Sequence, residues 1–469
     1  MGKRKRDKLQ RDVRIEKYAA EGKSIAYINE MVVFVEGAVP GDVCDILVTR
    51  KRKSYWQAKL YHLHEPSELR KNAKCSYFGV CGGCKWQHLD YEKQLEFKQQ
   101  QVTDAMQRIG KVELGTMEPI MGSDPIYNYR NKLDFSFSHK RWMTKEEVDS
   151  EVEIVNEPAL GFHVPGRWDK VLDVHECHLQ PDPSNAIRNR VRDLAKEHDF
   201  SYYDLYAQKG LLRGLVLRNT TQGDWMLILV LGEDNYKAGT VILDSLISEF
   251  PELKSVFLVI NTKQNDSLHD QEMDLYHGSN HILESMEDLK FRIGPKSFFQ
   301  TNGLQAYELY KVTREFADLQ GTETVYDLYT GTGTIALFVA KQAAKVVGIE
   351  YVEAAIEDAK INAEFNGVGH AHFYAGDMKD VFSPELIAKE GHPDVVITDP
   401  PRAGMHQNVI DRLNELKPEK IVYVSCNPAT QARDLNLLSE NYDVARIRPV
   451  DMFPHTHHVE NVVLLKLKK

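Results

Sequence analysis

Cys426 lies in Ser425-Cys426-Asn427-Pro428, directly after the apolar run Ile421-Val422-Tyr423-Val424, with Asp399-Pro400-Pro401-Arg402 upstream and Glu460 downstream. A cysteine at the exit of a buried strand, in the same half of the chain as a glycine turn, is placed like a nucleophile, provided its thiol can ionise. Two prolines after Asp399 make a stiff corner at a strand end. There the carboxylate can bind substrate or cofactor and the Arg402 guanidinium can meet phosphate. Glu460 closes Pro454-His455-Thr456-His457-His458-Val459-Glu460 and can accept a proton. If that segment is extended, alternation throws His455 and His457 to one face and His458 and Glu460 to the other, with no further ligand nearby in sequence, so no metal centre is expected there.

Tyr326-Asp327-Leu328-Tyr329-Thr330-Gly331-Thr332-Gly333-Thr334 reads as a strand ending in a glycine turn that opens a helix. Gly331 lets backbone approach a ligand without a Cβ in the way. The next strand ends in Glu350, placed to accept hydrogen bonds from a ribose diol. Asp377 follows the strand after it, where it could meet an adenine amine, and Asp399 ends the one beyond. Carboxylates at successive strand tips repel one another and suit a ligand with hydroxyls and a positive charge. A nicotinamide dinucleotide usually wants a third glycine over its pyrophosphate, and Ala336 stands at that point. S-adenosylmethionine has no phosphate and carries a sulfonium, so it fits better.

A thiol, a carboxylate base and S-adenosylmethionine in one domain suit methylation of carbon 5 of uracil. The ring is a poor nucleophile at that carbon. A thiolate adding to carbon 6 makes an enolate whose carbon 5 can attack a methyl sulfonium, and a base then removes the carbon 5 proton so that the thiol can leave. Amino-group methyltransferases favour an aromatic residue where Arg402 stands.

Cys75, Cys81 and Cys84 form Cys-x5-Cys-x2-Cys with Gly79, Gly82 and Gly83 between them, and Cys177 stands far downstream. Zinc and an iron–sulfur cluster both accept four cysteines, and spacing does not separate them. Six cysteines in 469 residues are too few for a disulfide scaffold. Cys44 is left as core.

These residues need elements to hold them. From 291 to 469, strand-like segments (325–328, 345–349, 371–374, 395–398, 421–425) alternate with helical ones (335–344, 352–365), which predicts an α/β fold with a doubly wound, Rossmann-like parallel sheet. Residues 1–64 read as short strands with Gly/Pro turns, a small β-barrel in which Tyr55 and Trp56 among basic residues could stack bases. Residues 65–290 form a mixed central domain. Its helix over 91–110 carries Leu95, Val102, Met106 and Ile109 at helical spacing and could pack on the C-terminal domain. The net charge of −10 argues weakly against nucleic acid, but residues 1–74 hold 17 Lys+Arg against 10 Asp+Glu, a net of +7 that leaves −17 for the rest. No apolar run approaches the ~18 residues of a membrane span, and no hydrophobic segment follows the charged start Met1-Gly2-Lys3-Arg4-Lys5-Arg6, so a cytoplasmic location is expected.

Phe298-Phe299-Gln300-Thr301-Asn302, the glycine turn, Asp399-Pro400-Pro401-Arg402, Ser425-Cys426-Asn427-Pro428 and the segment 454–460 together resemble, in order, the RNA uracil-5-methyltransferase family. The resemblance implies Gln300, Tyr329, Glu350, Asp377 and Asp399 as S-adenosylmethionine contacts, Cys426 as nucleophile and Glu460 as base. Glu21-Gly22-Lys23 and Val35-Glu36-Gly37-Ala38-Val39-Pro40-Gly41-Asp42 resemble a TRAM domain, an RNA-binding barrel. The four cysteines resemble the family's [4Fe-4S] site. Having both modules is similar to the branch that methylates 23S ribosomal RNA, whereas the tRNA-acting branch usually lacks them. An enzyme acting on 23S rRNA is therefore expected, and separately a monomer. The alternatives are the same chemistry on tRNA, or an RNA-binding iron–sulfur sensor or assembly factor without catalysis.

Overall fold

Six strands between Leu9 and Glu65 wrap one apolar cluster made by Val13, Ile15, Ala26, Val33, Val35, Cys44, Ile46, Val48 and Ala58, as the alternating sequence requires. The computed structural model describes residues 8–150 and 157–469, so the basic start at 1–6 lies outside the described residues. Irregular register along Val43–Lys51 and Tyr55–Glu65 bends these long strands around the cluster. Buried Asp42 fastens the barrel to the segment after its last strand, accepting hydrogen bonds from the backbone of Val39 (2.7 Å) and Ser67 (2.9 Å) and from Arg70 Nη2 (2.6 Å).

A seven-stranded sheet occupies the centre, ordered Arg167–Asp173, Ala159–Val164, Lys132–Ser138, Leu212–Asn219, Trp225–Leu231, Leu253–Ile260 and Asp274–Gly278. Every residue of Trp225–Leu231 is buried, because both faces are covered. Helices Ser184–Glu197 and Tyr236–Glu249 cover one face. On the other face Met226, Ile228 and Val230 join the core of the C-terminal domain.

The C-terminal sheet runs Ala371–Ala375, Lys345–Glu350, Thr324–Leu328, Val395–Thr398, Lys420–Ser425, Glu460–Leu467, Tyr442–Val450 and Thr116–Met117. The first five strands are parallel, and Glu460–Leu467 inserts antiparallel between Lys420–Ser425 and Tyr442–Val450. The fold is the expected Rossmann-like α/β one. Helix Thr334–Ala340 is shorter than the expected 335–344, since Gln342 and Ala343 turn back onto Val339 and Ala340. The division expected at 290/291 falls inside the hairpin Ile282–Met286/Leu289–Ile293, whose apolar residues belong to the same cluster as the C-terminal sheet. Among the described residues, no helix is long and apolar enough to cross a membrane.

The helix expected over 91–110 is α-helical at Tyr91–Ala105 and widens to a π turn at Met106–Gly110. Its buried face is not the apolar stripe expected. Gln94, Lys98, Val102 and Ala105 face inward, with Met106, while Ile109 is exposed. Two polar residues are tolerated there because they have partners at Asp451, Phe453 and His455, ahead of strand Glu460–Leu467.

Candidate active site

Antiparallel pairing of Lys420–Ser425 with Glu460–Leu467 runs from Lys420 opposite Lys466 to Ser425 opposite Asn461. The ladder stops there, and the next residues along the two segments are Cys426, just past its strand, and Glu460, whose carboxylate acts on the Cys426 thiol. Asn427 then turns the chain into helix Pro428–Leu438, capping it by accepting the Ala429 N–H at 3.1 Å and donating to the Arg402 carbonyl at 2.9 Å. Thr430 donates to the same carbonyl at 3.1 Å. The Asp399–Arg402 corner is thereby tied to the nucleophile's own turn.

Three ionisable groups surround the half-buried thiol. Burial and the carboxylates of Glu460 and Asp399 push the Cys426 thiol up to about 11, while the Arg402 guanidinium pulls it down. Glu460 is buried, and desolvation together with Asp399 holds it well above the usual carboxylate range, against the pull of Arg402. Asp399 is raised by desolvation and by Asp327. Arg402 also reaches His458 Nδ1 at 3.4 Å.

The loop before Glu460 is held from far away in sequence. Buried Lys98 pairs with buried Asp451 at 2.5 Å and donates to the Phe453 carbonyl, and Tyr91 Oη adds a bond to Asp451 at 2.8 Å. His455 has a left-handed backbone (φ +64°). Its N–H donates to Gln94 Oε1 at 2.8 Å, and its carbonyl accepts the Lys85 and Trp86 N–H groups at 2.8 and 3.0 Å. The expected alternation of His455, His457, His458 and Glu460 therefore does not exist, because the strand begins only at Glu460 and 454–459 form a loop. Lys98, Gln94 and Asp451 carry no motif, and only a lysine and a glutamine on an otherwise packed helix face could have signalled them.

At the neighbouring strand tips, Tyr329, Gly331 and Gly333 all have positive φ (67°, 56° and 78°). A β-carbon on Gly333 would come within 3.0 Å of Ala359 Cβ, whereas one on Gly331 would meet nothing within 4 Å, so backbone borders open space there. Such strain at a non-glycine like Tyr329 is typical of ligand turns. Glu350 accepts the Gly331 N–H at 3.2 Å and the Val352 N–H at 3.0 Å. Buried Asp327, missed in the sequence, braces the turn by accepting from Thr330 Oγ1 (2.6 Å) and the Ala336 N–H (3.0 Å). Burial pushes its carboxyl up to about 7. Asp377 caps the helix Met378–Val381 and pairs with Lys379 at 2.9 Å, which holds its carboxyl below the usual range. Gln300 is anchored by its carbonyl, which accepts from Asn131 Nδ2 at 2.9 Å, and its side-chain amide has no hydrogen-bond partner among the described residues.

All four candidate cluster cysteines carry free thiols. Burial raises each one. Cys84 is also pushed up by Cys177, Cys81 and Cys75, so the four converge. Gln87 accepts the Cys75 N–H at 3.0 Å and pulls the Cys84 thiol down, while Asn185 accepts the Cys177 N–H at 2.8 Å. Four such cysteines could hold one zinc ion or an iron–sulfur cluster.

A Rossmann-like sheet with this turn and these strand-tip acids is that of an S-adenosylmethionine-dependent methyltransferase, and comparison with known proteins narrows it. Residues 279–468 match the family model described as tRNA (Uracil-5-)-methyltransferase, and residues 10–61 match the TRAM domain. The chain is 54% identical to an RNA methyltransferase of Bacteroides thetaiotaomicron over 96% of its own length and 100% of the relative's. It is 53% identical to one of Porphyromonas gingivalis, over 95% and 98%. The crystal structure of Pyrococcus abyssi tRNA (uracil-54, C5)-methyltransferase in complex with S-adenosyl-L-homocysteine is 32% identical and covers 97% of this chain and 100% of its own, with a TM-score of 0.74. The chain belongs to the RNA uracil-5-methyltransferase family and is an S-adenosylmethionine-dependent enzyme acting on RNA.

Proposed function

We propose that this enzyme methylates carbon 5 of a uridine in 23S rRNA through a covalent bond between Cys426 and the base. The observation that supports it is the ladder ending at Ser425 and Asn461, just beyond which Cys426 and Glu460 follow, with Glu460, Asp399 and Arg402 all acting on the one thiol. The target base, flipped from its stack, meets the Cys426 thiolate at carbon 6. The S–C6 bond forms and the electron pair moves to the carbon 4 oxygen as an enolate. S-adenosylmethionine, when bound, supplies an electrophilic methyl group. Once carbon 5 carries that methyl, Glu460 removes the carbon 5 proton, the S–C6 bond breaks, and Cys426 leaves as thiolate. Glu460 then gives its proton to water.

In this proposal Gln300, Tyr329, Gly331, Glu350, Asp377 and Asp399 hold the methyl donor, with Glu350 facing the ribose. Arg402 keeps the thiolate accessible in a pocket that otherwise disfavours negative charge. Cys75, Cys81, Cys84 and Cys177 would hold a [4Fe-4S] cluster, which when bound supplies a cross-link between residues 75–84 and the central domain. The division into an RNA-holding barrel at 1–64, a central domain and a catalytic domain belongs to the same proposal, with the last boundary ahead of the hairpin that starts at Ile282, as does a cytoplasmic monomer.

A tRNA substrate is the second reading, favoured by the match of the whole chain to the Pyrococcus abyssi enzyme. That match spans the barrel and the cysteine region as well, so domain content does not separate the two RNAs. Incubation with unmodified 23S rRNA, unmodified tRNA and labelled methyl donor, followed by fragment mapping, decides between them. Labelled 5-methyluridine in a 23S fragment is expected, and label confined to tRNA would overturn the choice of rRNA.

A further inference from the structure

Two aromatic rings stand in solvent on the central domain. Trp168 is 65% exposed and Tyr206 66% exposed, and their ring centroids lie 5.5 Å apart. A tryptophan is ordinarily well covered in a folded chain, so a paired, uncovered Trp and Tyr call for an occupant. Trp168 sits on strand Arg167–Asp173, just beyond the hairpin turn at Gly166, and Tyr206 on the loop facing it. The Tyr206 ring is held in place. Asp204 accepts the N–H groups of Tyr206 (2.8 Å) and Ala207 (3.0 Å), and Tyr206 Oη donates to Asp169 at 2.6 Å.

The surroundings are basic on a molecule whose net charge is −10. Lys170 Nζ lies 5.8 Å from the Tyr206 ring centroid, Arg167 is exposed and close enough to act on the Tyr206 hydroxyl, and exposed Lys140 and Lys209 flank Asp204. The carboxylates among them are engaged: Glu233, beside Lys209, accepts the Gly210 N–H at 2.8 Å. Asp169 is held by Tyr206 and by Lys170 at 2.9 Å, and Asp204 by the backbone and by His139 at 3.4 Å. Aromatic faces bordered by cations match the chemistry of a nucleic-acid base and its phosphate.

The patch is also linked to the catalytic machinery. Pro165 packs so close to Gly82 that a β-carbon there would lie 2.6 Å from Pro165 Cγ, and the same loop continues to Lys85 and Trp86, whose N–H groups hold His455. We propose that Trp168 and Tyr206 form a stacking platform for an unpaired base of the substrate RNA, outside the catalytic pocket. This inference deepens the RNA-methylating function above and rests on it.

The test compares the intact protein with Trp168→Ala/Tyr206→Ala and with Trp168→Phe, after confirming equal melting midpoints. The probes are a short single-stranded oligouridylate and an unmodified 23S rRNA transcript. Affinity is read by anisotropy of the labelled RNA, with KM and kcat read separately. The expected result is about tenfold or greater loss of RNA affinity in the double variant, near-unchanged kcat at saturating RNA, and retention of most affinity in Trp168→Phe. Equal affinity of the double variant and the intact protein for both RNAs overturns the platform. So does a loss that appears in kcat with KM unchanged. Failure of the methylation reading is distinct, since it shows as intact protein that binds RNA and transfers no methyl group to it.

Discussion

At the scale of single residues, the site sets a thiol against two carboxylates. Cys426 is raised to about 11, so at neutral pH the resting thiol is protonated, and the thiolate fraction grows as pH rises. Glu460 is raised too, so it becomes a competent base only above the usual carboxylate range. Both effects act in one direction: kcat/KM is expected to climb with pH through neutrality and to fall as pH drops through the raised Glu460 value. The charges also predict opposite shifts from two substitutions. Glu460→Gln removes a negative neighbour and should lower the Cys426 pKa, while Arg402→Ala removes the positive one and should raise it. Alkylation of the Cys426 peptide as a function of pH, followed by mass spectrometry, measures this directly. Shifts of the reverse sign would show that these groups do not share one pocket.

At the scale of elements, helix Tyr91–Ala105 works as a clamp on the catalytic loop. Lys98 and Asp451 are both fully buried, so removing one leaves the other's charge without its partner. Lys98→Met should cost about 3 to 5 kcal/mol of stability in denaturant unfolding and lower kcat by displacing the start of strand Glu460–Leu467. A change below about 1 kcal/mol, the range of exposed pairs, would mean that the pair is open to water. A second clamp runs through the cysteine loop. If Cys75, Cys81, Cys84 and Cys177 hold an iron–sulfur cluster, protein purified without oxygen contains iron and inorganic sulfide, and Cys84→Ser loses both along with stability. Intact protein with zinc and no sulfide would overturn the cluster.

Sequence periodicity made the parallel strands and their acidic tips legible, because those strands are short, apolar and buried on both faces, as in Val395–Thr398. The same periodicity misread 454–459. Extended spacing looked plausible there, but the left-handed His455 is imposed by Gln94, Lys85 and Trp86, partners far away along the chain. The helix face at 91–105 was misjudged for a related reason, since a buried lysine is recognisable only once its aspartate is seen beside it.

At the scale of the whole molecule, barrel, central sheet and catalytic sheet share contacts that converge on one strand end. Gly22 of the barrel packs against His457, Gln94 and Lys98 hold the loop around His455, and the ladder with Lys420–Ser425 ends just where Cys426 and Glu460 follow. An acidic protein thus needs local basic and aromatic surfaces to bring RNA to that point. The central claim is that the base is bonded to Cys426 during turnover. Its most direct test is to mix Glu460→Gln with unmodified substrate RNA and S-adenosylmethionine, digest both polymers, and weigh the Cys426 peptide. The expected species is that peptide carrying a methylated uridine nucleotide, absent when Cys426→Ala accompanies the substitution. Methylated RNA produced by Cys426→Ala alone would contradict it.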